Sequence, residues 1–197
     1  MLKNTSSYWT FVKEWANSPK RVASIFPSSP FLADALVDLA KVKESKVIVE
    51  LGPGVGVVTE KILDKKDPAS TFFAVEVSEN LAKATRDRCP AAEVICGDAK
   101  HLEGMLLAKG LGSCDSIVSC IPWATISCDI QDDILKAVSN SLEPGGRFAT
   151  LLFAPGLLLP STFRFVKKLE EMFGTLNISP VIWKNLPPAV VVWVEKS

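Results

Sequence analysis

A β-branched run, Val47-Ile48-Val49, passes through Glu50-Leu51 into Gly52-Pro53-Gly54-Val55-Gly56. Three glycines therefore fall at alternate positions directly behind a short apolar run. Such a run suits a strand buried on both faces, as in a parallel sheet covered by helices. The glycines permit positive φ and close backbone approach to a ligand, which a Cβ would block. The residues behind them, Val57-Val58-Thr59-Glu60-Lys61-Ile62-Leu63, read as the start of a helix whose N-terminus faces the same place. An open α/β sheet builds a nucleotide-sized pocket in this way, at the carboxyl end of its first strand. A dinucleotide fingerprint would need its last glycine at position 57, which is Val57, and no G-K-[ST] is present for a phosphate loop.

Two further acids close the next apolar runs. Thr71-Phe72-Phe73-Ala74-Val75-Glu76 ends on Glu76, and Glu93-Val94-Ile95-Cys96-Gly97 leads into Asp98-Ala99. An acid at the second strand tip can accept both ribose hydroxyls of an adenosine. One at the third can accept from the exocyclic amine of adenine, with the Ala99 backbone beside the ring. The segment Glu50 to Gly56 resembles motif I of the class I S-adenosylmethionine (SAM) methyltransferases, in which the strand-end acid faces the methionine end of the cofactor. That resemblance implies a SAM site made by Glu50, Gly52, Gly54, Gly56, Glu76, Val77, Asp98, Ala99 and Ser119.

Composition suits a single three-layer core: 197 residues, 48% of them hydrophobic. Formal net charge is zero, so no global field favours nucleic acid, and none is expected as a partner. Cys89, Cys96, Cys114, Cys120 and Cys128 are odd in number and form no C-x-x-C pair; His101 is the lone histidine. A metal site is not expected, and reduced thiols in a cytoplasmic protein are. No apolar run approaches the ~18 residues of a membrane span, and no signal-peptide pattern opens the chain.

The pattern predicts a Rossmann-like fold: a seven-stranded, mostly parallel sheet with helices on both faces and a C-terminal antiparallel hairpin. A helix over Phe31 to Lys41 follows the Ser28-Ser29-Pro30 cap signal. Helices are expected at Leu81 to Arg88, Lys100 to Ala108, Asp129 to Ser141 and about Phe163 to Met172. Ser116 to Cys120 and Arg147 to Phe153 are the fourth and fifth strands, with Glu143-Pro144-Gly145-Gly146 ending the helix between them. Ile178 to Trp183 and Val190 to Glu195 are expected to form the hairpin around Asn185-Leu186-Pro187-Pro188. Leu142 to Phe148 also recurs before the fifth strand of such enzymes, as a structural turn.

A narrower resemblance spans nearly the whole chain. Phe11 to Ser29 reads F-V-K-E-W-A-N-S-P-K-R-V-A-S-I-F-P-S-S. With Glu50 to Gly56 (including Pro53), Val118-Ser119-Cys120-Ile121-Pro122 and Asn185-Leu186-Pro187-Pro188-Ala189, it is similar to the bacterial phospholipid N-methyltransferases. That family methylates the amine of phosphatidylethanolamine. It usually has threonine where this chain has Val55, and glycine-leucine where Cys120-Ile121 stand. The resemblance implies an aminophospholipid, or another amine, as substrate. It also implies residence in the cytoplasm, peripherally on the inner face of the membrane.

Residues 1–30 are expected to form an amphipathic lid or membrane-contact helix, and 31–197 the SAM-binding domain. Tyr8, Phe11 or Val12, and Trp15 recur at helical spacing, and Lys3, Lys13, Lys20 and Arg21 against Glu14 give the first 26 residues a net charge of +3. Aromatics with basic flanks suit a helix in the headgroup layer of an anionic membrane; packing over the cofactor cleft accounts for the same stripe. Tyr8, Ser119, Pro122 and Trp123 are the candidates for the catalytic site, Tyr8 and Trp123 to shape the amine pocket, although a core aromatic explains Trp123 as well. Lys20, Arg21 and Arg164 are candidates for a lipid phosphate. No Asp-Pro-Pro-Tyr or Asn-Pro-Pro-Tyr follows the fourth strand, unlike an adenine methyltransferase of nucleic acid. A soluble amine methyltransferase and a non-catalytic SAM-binding protein remain as alternatives.

Overall fold

The structure, a computed structural model, describes residues 28–197. Tyr8, Lys20, Arg21 and the aromatic-basic stripe fall outside the described residues.

Strands β1 (Val47–Leu51), β2 (Thr71–Glu76), β3 (Glu93–Cys96), β4 (Cys114–Ser119), β5 (Leu142–Phe153), β6 (Leu176–Ile178) and β7 (Ala189–Glu195) form one sheet in the order β3-β2-β1-β4-β5-β7-β6. Strands β1 to β5 are parallel, and β7 runs antiparallel to both β5 and β6. Order reverses between β1 and β4, the switch point at which open α/β sheets bind ligands. The expected architecture is therefore found.

Alternation along β1 sends its side chains to two cores. Val49 and Leu51 join Phe73, Ile117 and Phe148 under α4 (Leu102–Ala108), α5 (Cys128–Ser141) and α6 (Pro160–Phe173). Ile48 joins Ala74, Val118 and Val191 under α1 (Pro30–Leu39), α2 (Val57–Lys65) and α3 (Glu79–Arg88). Each fully buried Leu, Ile or Phe contributes roughly 1.5–3 kcal/mol, so both faces of every central strand are committed to packing. Chemistry is left to the strand ends.

Two elements differ from the sequence expectation. β5 begins at Leu142, directly behind α5: Leu142 pairs with Cys114 on β4, Gly145 N–H donates to the Lys196 carbonyl (2.7 Å) and Lys196 N–H to the Gly146 carbonyl (2.9 Å). The Pro144-Gly145-Gly146 turn is thus held in the ladder by the chain's C-terminal end. β6 is Leu176–Ile178 rather than Ile178 to Trp183; residues 179–188 are a connection touching β7 through one isolated bridge, Ile182 to Ala189. The start of the described chain is anchored to that connection. Ser29 N–H donates to Asn185 Oδ1 (2.7 Å), while Ser29 Oγ caps α1 by accepting from Leu32 N–H (3.2 Å).

Candidate active site

The turn between β1 and α2 lies at the carboxyl edge of the sheet. Gly52, Gly54 and Gly56 hold φ of 73°, 63° and 82°, where a side chain would be strained. Gly52 N–H extends the ladder by donating to the Val75 carbonyl (2.9 Å), and a Cβ on Gly52 would stand 3.2 Å from Ile121 Cγ1. α3 braces the turn from behind: the fully buried Thr85 donates its hydroxyl to the Gly54 carbonyl at 2.9 Å. The turn is an open loop of backbone at the mouth of the switch point, with apolar packing beneath it.

Two buried carboxyl groups flank it. Glu50, wholly buried, accepts from Thr59 Oγ1 at 2.6 Å through Oε2, while its Oε1 is buried with no hydrogen-bond partner. Burial pushes the Glu50 carboxyl up to about 8; the Thr59 hydrogen bond pulls the other way, and nearby Glu76 adds to the rise. Glu76, 4% exposed, accepts from Gly54 N–H (3.2 Å) and Ser78 N–H (3.0 Å). Burial raises it too, against those backbone donors. Desolvation and the two carboxylates hold the Cys120 thiol far above its ordinary value, so it stays a neutral thiol. A buried, unpartnered carboxylate oxygen beside a second raised carboxyl is costly unless a cation or strong donor arrives. Glu50 Oε1 is thus an unused acceptor facing the glycine turn's edge of the sheet.

At the third tip, Asp98 caps the 3-10 turn Ala99–His101, accepting from Lys100 N–H (3.1 Å), with Lys100 Nζ at 3.2 Å from its other oxygen. Ala99 is buried beneath this turn and Val77 is half-buried at the end of β2. Glu50, Glu76, Asp98 and the glycine turn are therefore brought to one edge, on neighbouring strands in register.

The residues behind β4 are arranged differently from their expected roles. Ser119 is fully buried; its Oγ accepts from Ile121 N–H (3.3 Å) and Trp123 Nε1 (3.2 Å). Trp123 also donates to Thr150 Oγ1 (3.0 Å), stacks on Phe165 at 4.4 Å and meets Phe148 edge-on at 6.1 Å. With 1% of its surface exposed, Trp123 is a core aromatic that has no face left for an amine pocket. Its indole and Ser119 instead stiffen the loop that carries Pro122, which is exposed. Arg164, offered for a lipid phosphate, pairs with Asp132 at 2.6 Å. Thr59, which positions Glu50, was missed: it lies one helical turn beyond the glycines, with nothing in its own surroundings to single it out. Among the described residues no group of three His, Cys, Asp or Glu side chains could hold a metal ion.

A doubly wound sheet with a glycine turn and acids at three successive strand tips defines an enzyme core that binds a nucleoside-bearing cofactor. The chain belongs to the methyltransferase domain family, which it matches over residues 48–146, and it is a SAM-dependent methyltransferase. It is 27% identical to an ornithine lipid N-methyltransferase of Singulisphaera acidiphila, over 88% of this chain and 92% of that protein. It is 31% identical to a dimethyladenosine transferase of Chaetomium thermophilum over 79% of this chain, but spans only 37% of that relative's length. In three dimensions it resembles the O-methyltransferase TomG of Streptomyces achromogenes, solved with SAM, at a TM-score of 0.69 and 14% identity with both chains fully covered. That likeness concerns the fold alone.

Proposed function

We propose that this protein is an N-methyltransferase acting on the amine of an aminolipid headgroup, of the phosphatidylethanolamine or ornithine-lipid type, at a membrane surface. The observation that carries this reading is the end-to-end likeness to the ornithine lipid enzyme. The hydrogen bond from Ser29 to Asn185 supports it, because it joins the first and last motifs of the phospholipid N-methyltransferase resemblance in space. No helix among the described residues is long and apolar enough to cross a membrane, so access to a lipid would be peripheral. In this reading residues 1–30 contribute a basic-aromatic membrane contact or lid.

Glu50, through its unpartnered Oε1, would accept from the cofactor's methionine ammonium; Glu76 would hold the ribose hydroxyls and Asp98 the adenine amine. Gly52, Gly54 and Gly56 would leave room for the cofactor, with Val77 and Ala99 beside the base and Ser119 shaping the floor. The cofactor, when bound, supplies a methyl group on a cationic sulfur that a neutral amine displaces in line. The protein's part is alignment, which supplies much of the rate for two well-oriented reactants. Burial beside a cation lowers an ammonium pKa, so the amine sheds its proton to solvent on entry and no dedicated base is needed. Tyr8 and Pro122 would border the amine.

A second reading, methylation of adenine in RNA, draws on the dimethyladenosine transferase relative, of which this chain spans 37%. One assay separates them: labelled SAM with vesicles containing phosphatidylethanolamine or ornithine lipid, against ribosomal RNA. Label in the lipid fraction supports the proposal; label in RNA alone, or in neither while SAM binds, refutes it.

A further inference from the structure

Nine large apolar side chains are exposed among the described residues, and their distribution is one-sided. Only Leu107, near the end of α4, lies at the amino edge of the sheet. All the others lie at or beside the carboxyl edge, the edge that carries the glycine turn. The most prominent are Leu186 (84% exposed), Leu158 (81%), Trp183 (77%), Phe163 (63%) and Phe31 (54%). They come from three segments that meet in space. Phe31 opens α1, and Lys184 Nζ sits 4.3 Å above its ring. Trp183 and Leu186 project from the 179–188 connection, which Asn185 ties to Ser29. Ala154 N–H donates to the Pro188 carbonyl (2.7 Å), joining that connection to the 3-10 turn Ala154–Leu158 that leads to Phe163.

The charge at the tips of this rim is basic: Lys184 stands between Trp183 and Leu186 in sequence and over the Phe31 ring. Residues 154–169 contain no Asp or Glu and carry Arg164, Lys167 and Lys168, which face Asp132 and Glu171 on the side away from the tips; residues 172–194 contain no acid and carry Lys184. The neighbouring acids are already paired: Asp34, one turn beyond Phe31 on α1, with Lys61 and Lys65, and Asp132 at the start of α5 with Arg164. Projecting Trp, Leu and Phe side chains with basic neighbours and no acids among them suit the headgroup and acyl boundary of an anionic bilayer.

We propose that this carboxyl-edge rim, with Trp183 and Leu186 as its inserting tips and Lys184 behind them, is a docking surface for an anionic lipid bilayer. It deepens the aminolipid reading and rests on it, since a headgroup substrate must be met at a bilayer. Docking by this edge turns the glycine turn and the Pro122 loop toward the headgroups, so that a lipid amine reaches the site without leaving the membrane.

The test uses the full chain. Flotation with phosphatidylcholine vesicles, with and without phosphatidylglycerol, is compared for wild type, the double variant Trp183→Ser/Leu186→Ser, and Leu107→Ser as a control at the opposite edge. The double variant is expected to lose about tenfold or more in apparent affinity for the anionic vesicles. Leu107→Ser should match wild type, and all three should keep the same melting temperature and SAM affinity. Flotation of the double variant equal to wild type would overturn the proposal. So would a wild-type dimer in light scattering that the double variant dissolves while neither protein binds vesicles. Methylation of a short-chain phosphatidylethanolamine dispersed below its micelle concentration tests the aminolipid reading separately. Turnover equal in wild type and variant supports that reading whatever flotation shows; its absence in both sinks that reading and leaves flotation to decide the surface.

Discussion

Thr59 should control how tightly the protein holds SAM, and Thr59→Val tests this with almost no change in side-chain volume. In the native protein Thr59 Oγ1 donates to Glu50 Oε2 at 2.6 Å, inside a fully buried site. A hydrogen bond to an ionised carboxylate is worth roughly twice one to the neutral acid, a difference on the order of 1 kcal/mol. Losing it leaves the ionised form less favoured and moves the Glu50 midpoint upward from about 8, by about one pH unit at 1.36 kcal/mol per unit. In the proposed site Oε1 accepts from the cofactor's ammonium as an ionised carboxylate. At neutral pH the variant must therefore supply about 1.4 kcal/mol more to deprotonate Glu50, which is about a tenfold rise in Kd. Calorimetric titration with SAM across about pH 6 to 9 reads this directly. The expected result is a tenfold loss at pH 7 that shrinks toward pH 9, with Thr59→Ser restoring wild-type behaviour. Kd within twofold of wild type at every pH would refute the reasoning. A loss that does not vary with pH would reduce Thr59 to a packing residue. Glu50→Gln is the companion: if it binds SAM as tightly as wild type, the role given to Glu50 is at fault rather than that of Thr59.

The raised Glu50 carboxyl also predicts a proton linkage in the wild-type protein: SAM affinity should climb as pH rises toward about 8 and then level, with up to one proton released per binding event, seen as a buffer-dependent enthalpy. For the free protein the sign is opposite. An acid raised from 4.5 to about 8 on folding contributes most below 4.5, and that contribution drains away as pH rises through this window, so thermal denaturation of the free protein should show a falling midpoint. Gly52→Ala places a side chain at φ 73° and 3.2 Å from Ile121 Cγ1, at a cost of about 1–2 kcal/mol in backbone conformation alone. Urea denaturation should report at least that loss, together with weaker SAM binding. Asn185→Ala strands the Ser29 N–H and the Pro187 carbonyl that Asn185 now satisfies, costing about 1–3 kcal/mol. A melting temperature lowered by roughly 2–4 °C per kcal/mol is the expected readout, and an unchanged one would show that the anchor carries no stability.

What could be read in the sequence, and what could not, divides along the range of the interactions. Periodicity placed β1 to β4 and most helices within a few residues, because their patterns are set by burial of neighbouring positions on both faces of the sheet. The strand tips followed, and with them Glu50, Glu76 and Asp98, since the glycine turn and the acids are local signals. Glu50's partner was not legible. Thr59 reaches it only because the chain reverses through three positive-φ glycines and lays the first turn of α2 back over β1. The start of β5 was misplaced for a similar reason: Leu142 pairs with Cys114 on β4, and Gly145 and Gly146 bond to Lys196, some fifty residues on. Trp123 looked available because it follows the β4 tip, whereas Ser119 and Thr150 draw its indole inward. The hairpin carries the sharpest lesson. Residues 178–183 are apolar enough to read as a strand, yet Ile178, Val181 and Trp183 are 56%, 40% and 77% exposed. A pattern rule assigns apolar residues to a core because that is where most of them go. Here the same residues sit at the rim of the site, beside Lys184. The excess apolarity that misled the strand assignment is the observation on which the proposed lipid-docking edge rests.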